Sequence, residues 1–298
     1  MELRTLRSFL AVAREGNVTR AARTLHITQP ALSRQLVELE RELGCELLVR
    51  GARGVSLTDE GMLLRKRAEE IVSLADRAEL EIRTPVAEVS GEVWVGGGES
   101  RAMAAVARAA RQLSVEHPGL RLRMYSGNGP DVLERMEKGL LDFGVVMGDE
   151  PGGAYETLAL GWQDGWGLLV RRDHPLAGRE SLSLDDLVGE RLVVSAQHAS
   201  STDANPVIDL FQSRGLTIAA TYTLLYNASL LVEEGAGVAV CFDGIVPAGE
   251  GTSFAYIPLP ELPRISSYLA WKRGQPLSRA ARAFLDALRD ACSEDAKG

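Results

Sequence analysis

Residues 17–44 read NVTRAARTLHITQPALSRQLVELERELG, and this stretch decides the architecture of the N-terminal region. A short Ala-rich helix through Thr19, Arg20, Ala21 and Ala22 leads into a turn at His26-Ile27-Thr28, and a further helix begins at Gln29-Pro30. In that helix Leu32, Leu36, Leu39 and Leu43 recur at helical spacing and are expected to face a core. Gln29, Pro30, Ser33, Arg34 and Val37 then point outward. Thr28 is a good N-cap, and Pro30 sits in the first turn, where a missing N–H costs least. Upstream, Leu3, Leu6, Phe9, Leu10 and Ala13 form one apolar helical face that ends at Gly16-Asn17. Three short helices in this order read as a helix–turn–helix. A rigid helix with Gln, Ser and Arg near its start carries the groups that hydrogen-bond base edges and phosphates in a major groove.

A three-helix packing module with a solvated polar face would show the same pattern, so charge has to arbitrate. Residues 1–58 carry nine Arg against six acidic residues, a net of +3, whereas the whole chain is at −8. A basic N-terminal module on an acidic body points to a nucleic-acid footprint at one end. Directly after it, Leu47-Leu48-Val49-Arg50 and Val55-Ser56-Leu57 flank Gly51-Ala52-Arg53-Gly54 and read as a β-hairpin. Arg53 at the tip is either a minor-groove or phosphate contact or an ordinary exposed turn residue. Beside the helix–turn–helix the hairpin reads as a wing.

At 298 residues the chain is expected to hold two or three domains. Its 45% apolar and 25% charged content is normal for a globular protein. No apolar run reaches the length of a membrane span, and no signal-peptide core is expected at the N-terminus. Cys45, Cys241 and Cys292 are widely separated and odd in number, which fits a reducing cytoplasm better than a disulfide framework. The four His are scattered without ligand spacing, so neither a metal nor a cofactor is expected.

Thr58 caps a long helix whose first turn holds Asp59 and Glu60. Leu64, Ala68, Ile71, Ala75, Ala78 and Ile82 follow in it at a 3.5-residue repeat, with charged residues around them. The helix either lies on its own domain or forms a two-helix seam between subunits. Its length favours the seam. After Pro85, strands at 92–96, 120–125 and 142–147 alternate with helices at 102–115 and 132–138. The pattern restarts with strands at 166–170, 191–195, 218–223 and 238–241 and helices at 207–213 and 229–234, then closes with a strand at 267–271 and a helix at 278–291. Such alternation predicts an α/β fold with largely parallel sheets in two lobes around a cleft.

This order of parts resembles the LysR-type transcriptional regulators from end to end. The residues that carry the likeness are Leu6-x-x-Phe9, Thr19-x-Ala21-Ala22-x-x-Leu25, Thr28-Gln29-Pro30-Ala31-Leu32-Ser33, Leu39-Glu40-x-x-Leu43-Gly44, Leu57-Thr58 and Gly61. In the second half, Gly139-x-Leu141-Asp142-Phe143-Gly144, His174-Pro175-Leu176 and Glu233-Glu234-Gly235-x-Gly237-Val238 are similar to effector-domain landmarks of that family. The resemblance implies a winged helix–turn–helix DNA-binding domain over 1–58 and a dimerising linker helix over 59–88. It also implies a periplasmic-binding-protein-like effector domain over 91–298, with lobe I at 91–161 and 267–298 and lobe II at 162–266. The chain would cross between the lobes near Gly161 and Ser266. The implied function is transcription regulation on double-stranded DNA by a homodimer or homotetramer, in response to a small molecule, with the transcription machinery as a further partner.

DNA contact is expected from Thr28, Gln29, Pro30, Ser33, Arg34 and Arg53. In open α/β sheets ligands sit beyond the carboxyl ends of strands, where helix N-termini favour anions. The effector is therefore expected at Ser100 and Arg101, Ser126 and Asn128, Ser200 and Thr202, and Asn227, although N-caps and turns use the same residue types. The family often has a neutral Ser or Thr at the head of the first helix, whereas here Glu99 precedes Ser100. An acid there would repel an anionic effector unless Arg101 or a ligand cation offsets it.

Enzyme readings fail on motif grounds. Gly96-Gly97-Gly98 follows a strand, but Arg101 stands where a dinucleotide fingerprint needs Gly, and no Walker A, nucleophile-elbow or zinc-protease pattern occurs. The alternative from another class is a small-molecule binding protein whose basic N-terminal module serves only for assembly.

Overall fold

The computed structural model describes residues 1–51, 54–83, 89–196 and 206–295. It divides into two units, Met1–Pro85 and Val86–Gly298.

The first unit contains α1 (Leu3–Glu15), α2 (Val18–Thr24), α3 (Gln29–Leu43), the antiparallel hairpin β1 (Leu48–Gly51) and β2 (Gly54–Leu57), and α4 (Asp59–Arg83). Phe9, Val12, Ala21, Ala22, Leu32, Leu36, Leu39 and Leu47 make its core. The first helical face is thus centred on Leu6, Phe9 and Val12. Leu43, expected in the core, is 41% exposed. Helix α3 outlasts the core by a turn before Gly44, at φ +71°, ends it. Between α2 and α3, His26 adopts φ +54°, the left-handed position that glycine usually takes after a helix. The Ile27 and His26 amides there donate to the Ala22 and Arg23 carbonyls, closing α2.

Glycine is required at the junction of wing and long helix. A Cβ on Gly61 would lie 2.1 Å from the Leu47 carbonyl oxygen, and the Gly61 amide already bonds to Thr58 Oγ1 at 3.0 Å. Gly61→Ala is expected to lower the unfolding free energy by about 1–3 kcal/mol, the cost of overpacking a closed site. Urea denaturation of the parent and variant measures this, and an unchanged midpoint would mean that α4 can slide away from Leu47.

The apolar stripe of α4 is divided. Ala68 is fully buried and Leu64 packs against the core of the first unit, so these two serve the chain's own helices. Arg7 of α1 pairs with Asp76 on the same side. Apart from Met62 on another side of the helix, the apolar side chains left exposed are Leu63, Ile71, Leu74 and Ile82, with Ala78 among them. They follow a line roughly a quarter turn around the helix from Ala68. The single stripe expected from 64 to 82 is therefore two faces, one internal and one unpartnered.

The second unit holds two five-stranded sheets. The first has order β4 (Leu120–Ser126), β3 (Gly91–Gly97), β5 (Phe143–Met147), β12 (Ile265–Lys272), β6 (Tyr155–Asp164). Helices α5 (Met103–Glu116) and α9 (Arg279–Asp295) cover one face, through Val93, Val95, Val106, Phe143 and Phe284. Helix α6 (Gly129–Glu137) covers the other with Val132 and Met136. The second sheet has order β11 (Phe254–Pro258), β7 (Trp166–Arg171), β10 (Val238–Phe242), β8 (Arg191–Ser195), β9 (Thr217–Tyr222). Its pleat sends Leu168, Leu192, Val194 and Val240 toward the side of Phe211 in α7 (Pro206–Ser213). Leu169, Val193, Ala239 and Cys241 go to the side of α8 (Leu225–Glu233).

Neither sheet is largely parallel. Strands β3, β4 and β5 are parallel, as are β8, β9 and β10, but β6, β7, β11 and β12 pair antiparallel. The reason is the double crossing of the chain. Strands β6 and β12 run side by side, with Asp164 opposite Ile265 and Gln163 opposite Ser266, and strands traversed in opposite senses pair antiparallel. Gly161 and Ser266, where crossings were expected, lie inside these two paired strands.

Candidate DNA-reading helix and effector cleft

Helix α3 presents its first turn to solvent. Thr28 Oγ1 caps it by accepting from the Ala31 amide, and Thr28, Gln29, Pro30 and Arg34 are exposed, with Ser33 half-buried. Gln29 Nε2 donates to Ser33 Oγ at 2.9 Å, and Arg34 Nε to the Pro30 carbonyl at 3.4 Å. These exposed contacts are weak and leave all three side chains able to exchange partners. The opposite face is held firmly, with Leu32, Leu36 and Leu39 buried and Ser8 Oγ of α1 donating to Gln35 Oε1 at 2.9 Å. The wing is set by Glu40, whose Oε1 accepts from the Leu47 and Leu48 amides at 2.8 and 3.1 Å. Arg53 lies outside the described residues.

In the second unit a cavity of about 540 Å³ lies between the two sheets. Lobe I contributes Glu99 after β3, Tyr125 and Ser126 at the end of β4, and Asn128 and Asp131 at the start of α6. Lobe II contributes Trp166, Ser195, Tyr222 to Leu225, Cys241, Phe242 and Ile245. Asn128 caps α6 through the Asp131 amide at 2.8 Å. Of the expected effector residues, Ser126 and Asn128 line this cavity. Ser200 and Thr202 lie outside the described residues.

Ser100, Arg101 and Asn227 are placed elsewhere. Ser100 Oγ donates to Asp164 Oδ2 at 2.6 Å, and Trp162 Nε1 donates to Oδ1 of the same carboxylate at 3.1 Å. Asp164 is 1% exposed at the crossing point, so Ser100 is committed to the hinge. The Arg101 guanidinium stacks 4.9 Å above the Trp162 ring. Asn227 is an exposed residue within α8, which begins at Leu225, four residues earlier than its periodicity suggests. Ser100→Ala is expected to cost about 1–3 kcal/mol in stability, because it takes a partner from a buried carboxylate. Chemical denaturation checks it, and a variant as stable as the parent would show that Asp164 finds another donor.

Tyr125, Trp166, Thr223, Leu224 and Cys241 were not singled out from sequence. The strand-end rule did lead to the segment after β9, but it picked out Asn227 there, whereas Thr223 and Leu224, which line the cavity, carry no distinctive polar signal. Burial, helped by Asp243 and Glu99, pushes the Cys241 thiol up to about 12, so it stays protonated. Burial likewise holds the Tyr222 phenol above its ordinary range, with Cys241 and Glu99 adding to the shift.

A winged helix–turn–helix, a long helix and a two-lobed α/β domain with an interlobe cavity together define a ligand-responsive DNA-binding regulator. Residues 3–62 match the model for the bacterial regulatory helix-turn-helix protein, lysR family, and residues 87–293 match the LysR substrate binding domain. The chain therefore belongs to the LysR family of transcriptional regulators. It is 29% identical over 269 residues to the HTH-type transcriptional regulator BenM of Acinetobacter baylyi, covering 87% of this chain and 86% of that one. It is 27% identical over 293 residues to the HTH-type transcriptional regulator YybE of Bacillus subtilis, covering 95% and 97%. The crystal structure of full-length CbnR complexed with its target DNA superposes with a TM-score of 0.75 at 23% identity, covering 98% of this chain and all of that one. The protein is thus a DNA-binding transcriptional regulator with an effector-binding domain, not an enzyme. Membership of this family makes DNA and a small-molecule ligand its partners. Among the described residues no helix is long and apolar enough to cross a membrane.

Proposed function

We propose that the first two turns of α3 read the operator, with Gln29, Ser33 and Arg34 on base edges, and that the interlobe cavity receives the effector. Thr28 and Pro30 set the start of α3 against the groove, and Arg53 contacts the backbone from the wing. The observation that carries the DNA reading is the division of α3 into a buried Leu32–Leu36–Leu39 face and an exposed polar first turn. The domains are 1–58 for DNA binding, 59–88 for the linker and 91–298 for the effector, and the protein acts in the cytoplasm. Ser126 and Asn128 offer a hydroxyl and an amide to the ligand from the lobe I wall, and Thr223 offers a hydroxyl from lobe II. Ligand controls the response only if it binds one lobe or subunit arrangement better than another.

The direct test is titration of the full chain with operator and unrelated duplexes across a salt series. Affinity should fall steeply with salt on both, because phosphate contacts release counterions, while the operator keeps a preference. Equal affinity for both duplexes at every salt concentration would reduce the module to an assembly role.

A further inference from the structure

The expected effector position at a helix N-terminus is already taken by the chain's own acid. Glu99, on the loop after β3 in lobe I, reaches across the cleft, and its Oε2 accepts from the Leu225 amide in the first turn of α8 at 2.6 Å. The residue at the head of α8, Leu224, has no side chain able to cap it. A helix N-terminus favours an anion, and here the protein supplies one. The other helix start in the cavity wall, that of α6, carries Asp131 in its first turn. The described cavity wall thus holds two carboxylates and no Lys, Arg or His.

Nearby cations do not reverse this. Arg101 is stacked on Trp162, and Arg135 lies 4.0 Å above the Tyr125 ring, neither being part of the wall. Residues 197–205, next in sequence after Ala196, contain one His, one Asp and no Lys or Arg. The remaining polar groups of the wall, Ser126, Asn128, Ser195 and Thr223, are neutral, and the rest is largely aromatic and apolar. Trp166 and Phe242 pack with ring centroids 4.3 Å apart, and Tyr125 and Tyr222 complete the set. Aromatic faces attract cations, most strongly where water is excluded, and they also bury an apolar body.

We propose that the effector of this protein is an organic cation, an amine with an apolar or aromatic body whose ammonium pairs with Glu99 and Asp131. This rests on the reading of the interlobe cavity as the effector site and specifies its chemistry. A carboxylate ligand would have to displace Glu99 from α8 and then lie beside it, which costs both the cap and like-charge repulsion. An ammonium adds to Glu99 without disturbing the bond to Leu225, since the second carboxylate oxygen carries the pairing. Such a ligand ties lobe I to the start of α8 in lobe II and so favours one lobe arrangement.

The test is calorimetry on the full chain with matched probes differing only in the charged group. The pairs are phenethylamine with hydrocinnamate and tryptamine with indolepropionate. The ammonium member of at least one pair should bind at least about tenfold tighter than its carboxylate partner, as expected for paired charges in a partly dry site. Glu99→Gln keeps an acceptor for the Leu225 amide, and Asp131→Asn alters an exposed helix start, so one or both should fold. Each should weaken amine binding about tenfold or more. Thr223→Trp fills the cavity and should abolish binding of any probe seated there. Carboxylates that bind as tightly as amines, and that Thr223→Trp blocks, would overturn the cationic assignment while leaving the cleft as the effector site. Amine binding unaffected by Thr223→Trp would overturn the cleft reading itself. Amine binding unchanged in both Glu99→Gln and Asp131→Asn, or no binding of either class at millimolar concentration, would overturn the proposal.

Discussion

Ile71→Glu is expected to turn the protein into a monomer and to weaken binding to a two-half-site operator by about 10²–10⁴-fold, the avidity lost when two linked modules are separated. Ile71 is 41% exposed on α4, in line with the exposed Leu63, Leu74 and Ile82. Among the described residues of the first unit none covers that line, whereas the neighbouring face with Ala68 is closed. A partner helix that buries Ile71 would have to desolvate an unpaired carboxylate in the variant, and burying an unpaired charge is strongly unfavourable. Two-fold symmetry of the pair would match a pseudo-palindromic site. Sedimentation velocity and operator titration on the same preparations should change together. An Ile71→Glu protein that sediments like the parent would move the subunit seam off this face.

Arg34→Ala is expected to cost about 1–3 kcal/mol on the operator, roughly 5- to 150-fold in affinity, and to relax preference at one base pair. The side chain is exposed and held only by a 3.4 Å bond to the Pro30 carbonyl in its own first turn, so little has to be broken to reach DNA. Arg53→Ala should weaken binding more evenly across sequences, because a phosphate contact carries no base information. Competition titration against single-base operator variants separates the two. If Arg34→Ala binds the operator as the parent does at physiological salt, α3 is docked by other residues.

The first unit was legible because its signals are local. Helical spacing of Leu32, Leu36 and Leu39 and a Thr28 cap report on a helix within one or two turns of themselves. The buried strands β5, β8 and β10 were equally readable as short apolar runs, since both faces of each are covered. Strands β6 and β11 were not read at all. They form sheet edges like β4 and β9, but exposure largely alternates along β4 and β9 and does not along β6 and β11, so no period-2 pattern marks them. The long helix was readable as a helix, but which of its apolar residues face inward was not. Leu64 and Ile71 fit the same repeat, and only the position of α1 separates them.

The elements of the DNA-binding module, the polar start of α3, the two-lobed α/β plan and the acid at Glu99 could be read directly from the chain. Each of these is written in residues close together along the chain. Tertiary structure alone decided that Ser100 serves the hinge through Asp164, that Asn227 sits within a helix, and that Thr223 and Leu224 line the cavity. It alone decided that Glu99 meets the Leu225 amide, 126 residues away. Contacts at that separation depend on how two sheets are brought together by paired crossing strands, and no local spacing encodes where two distant loops will meet.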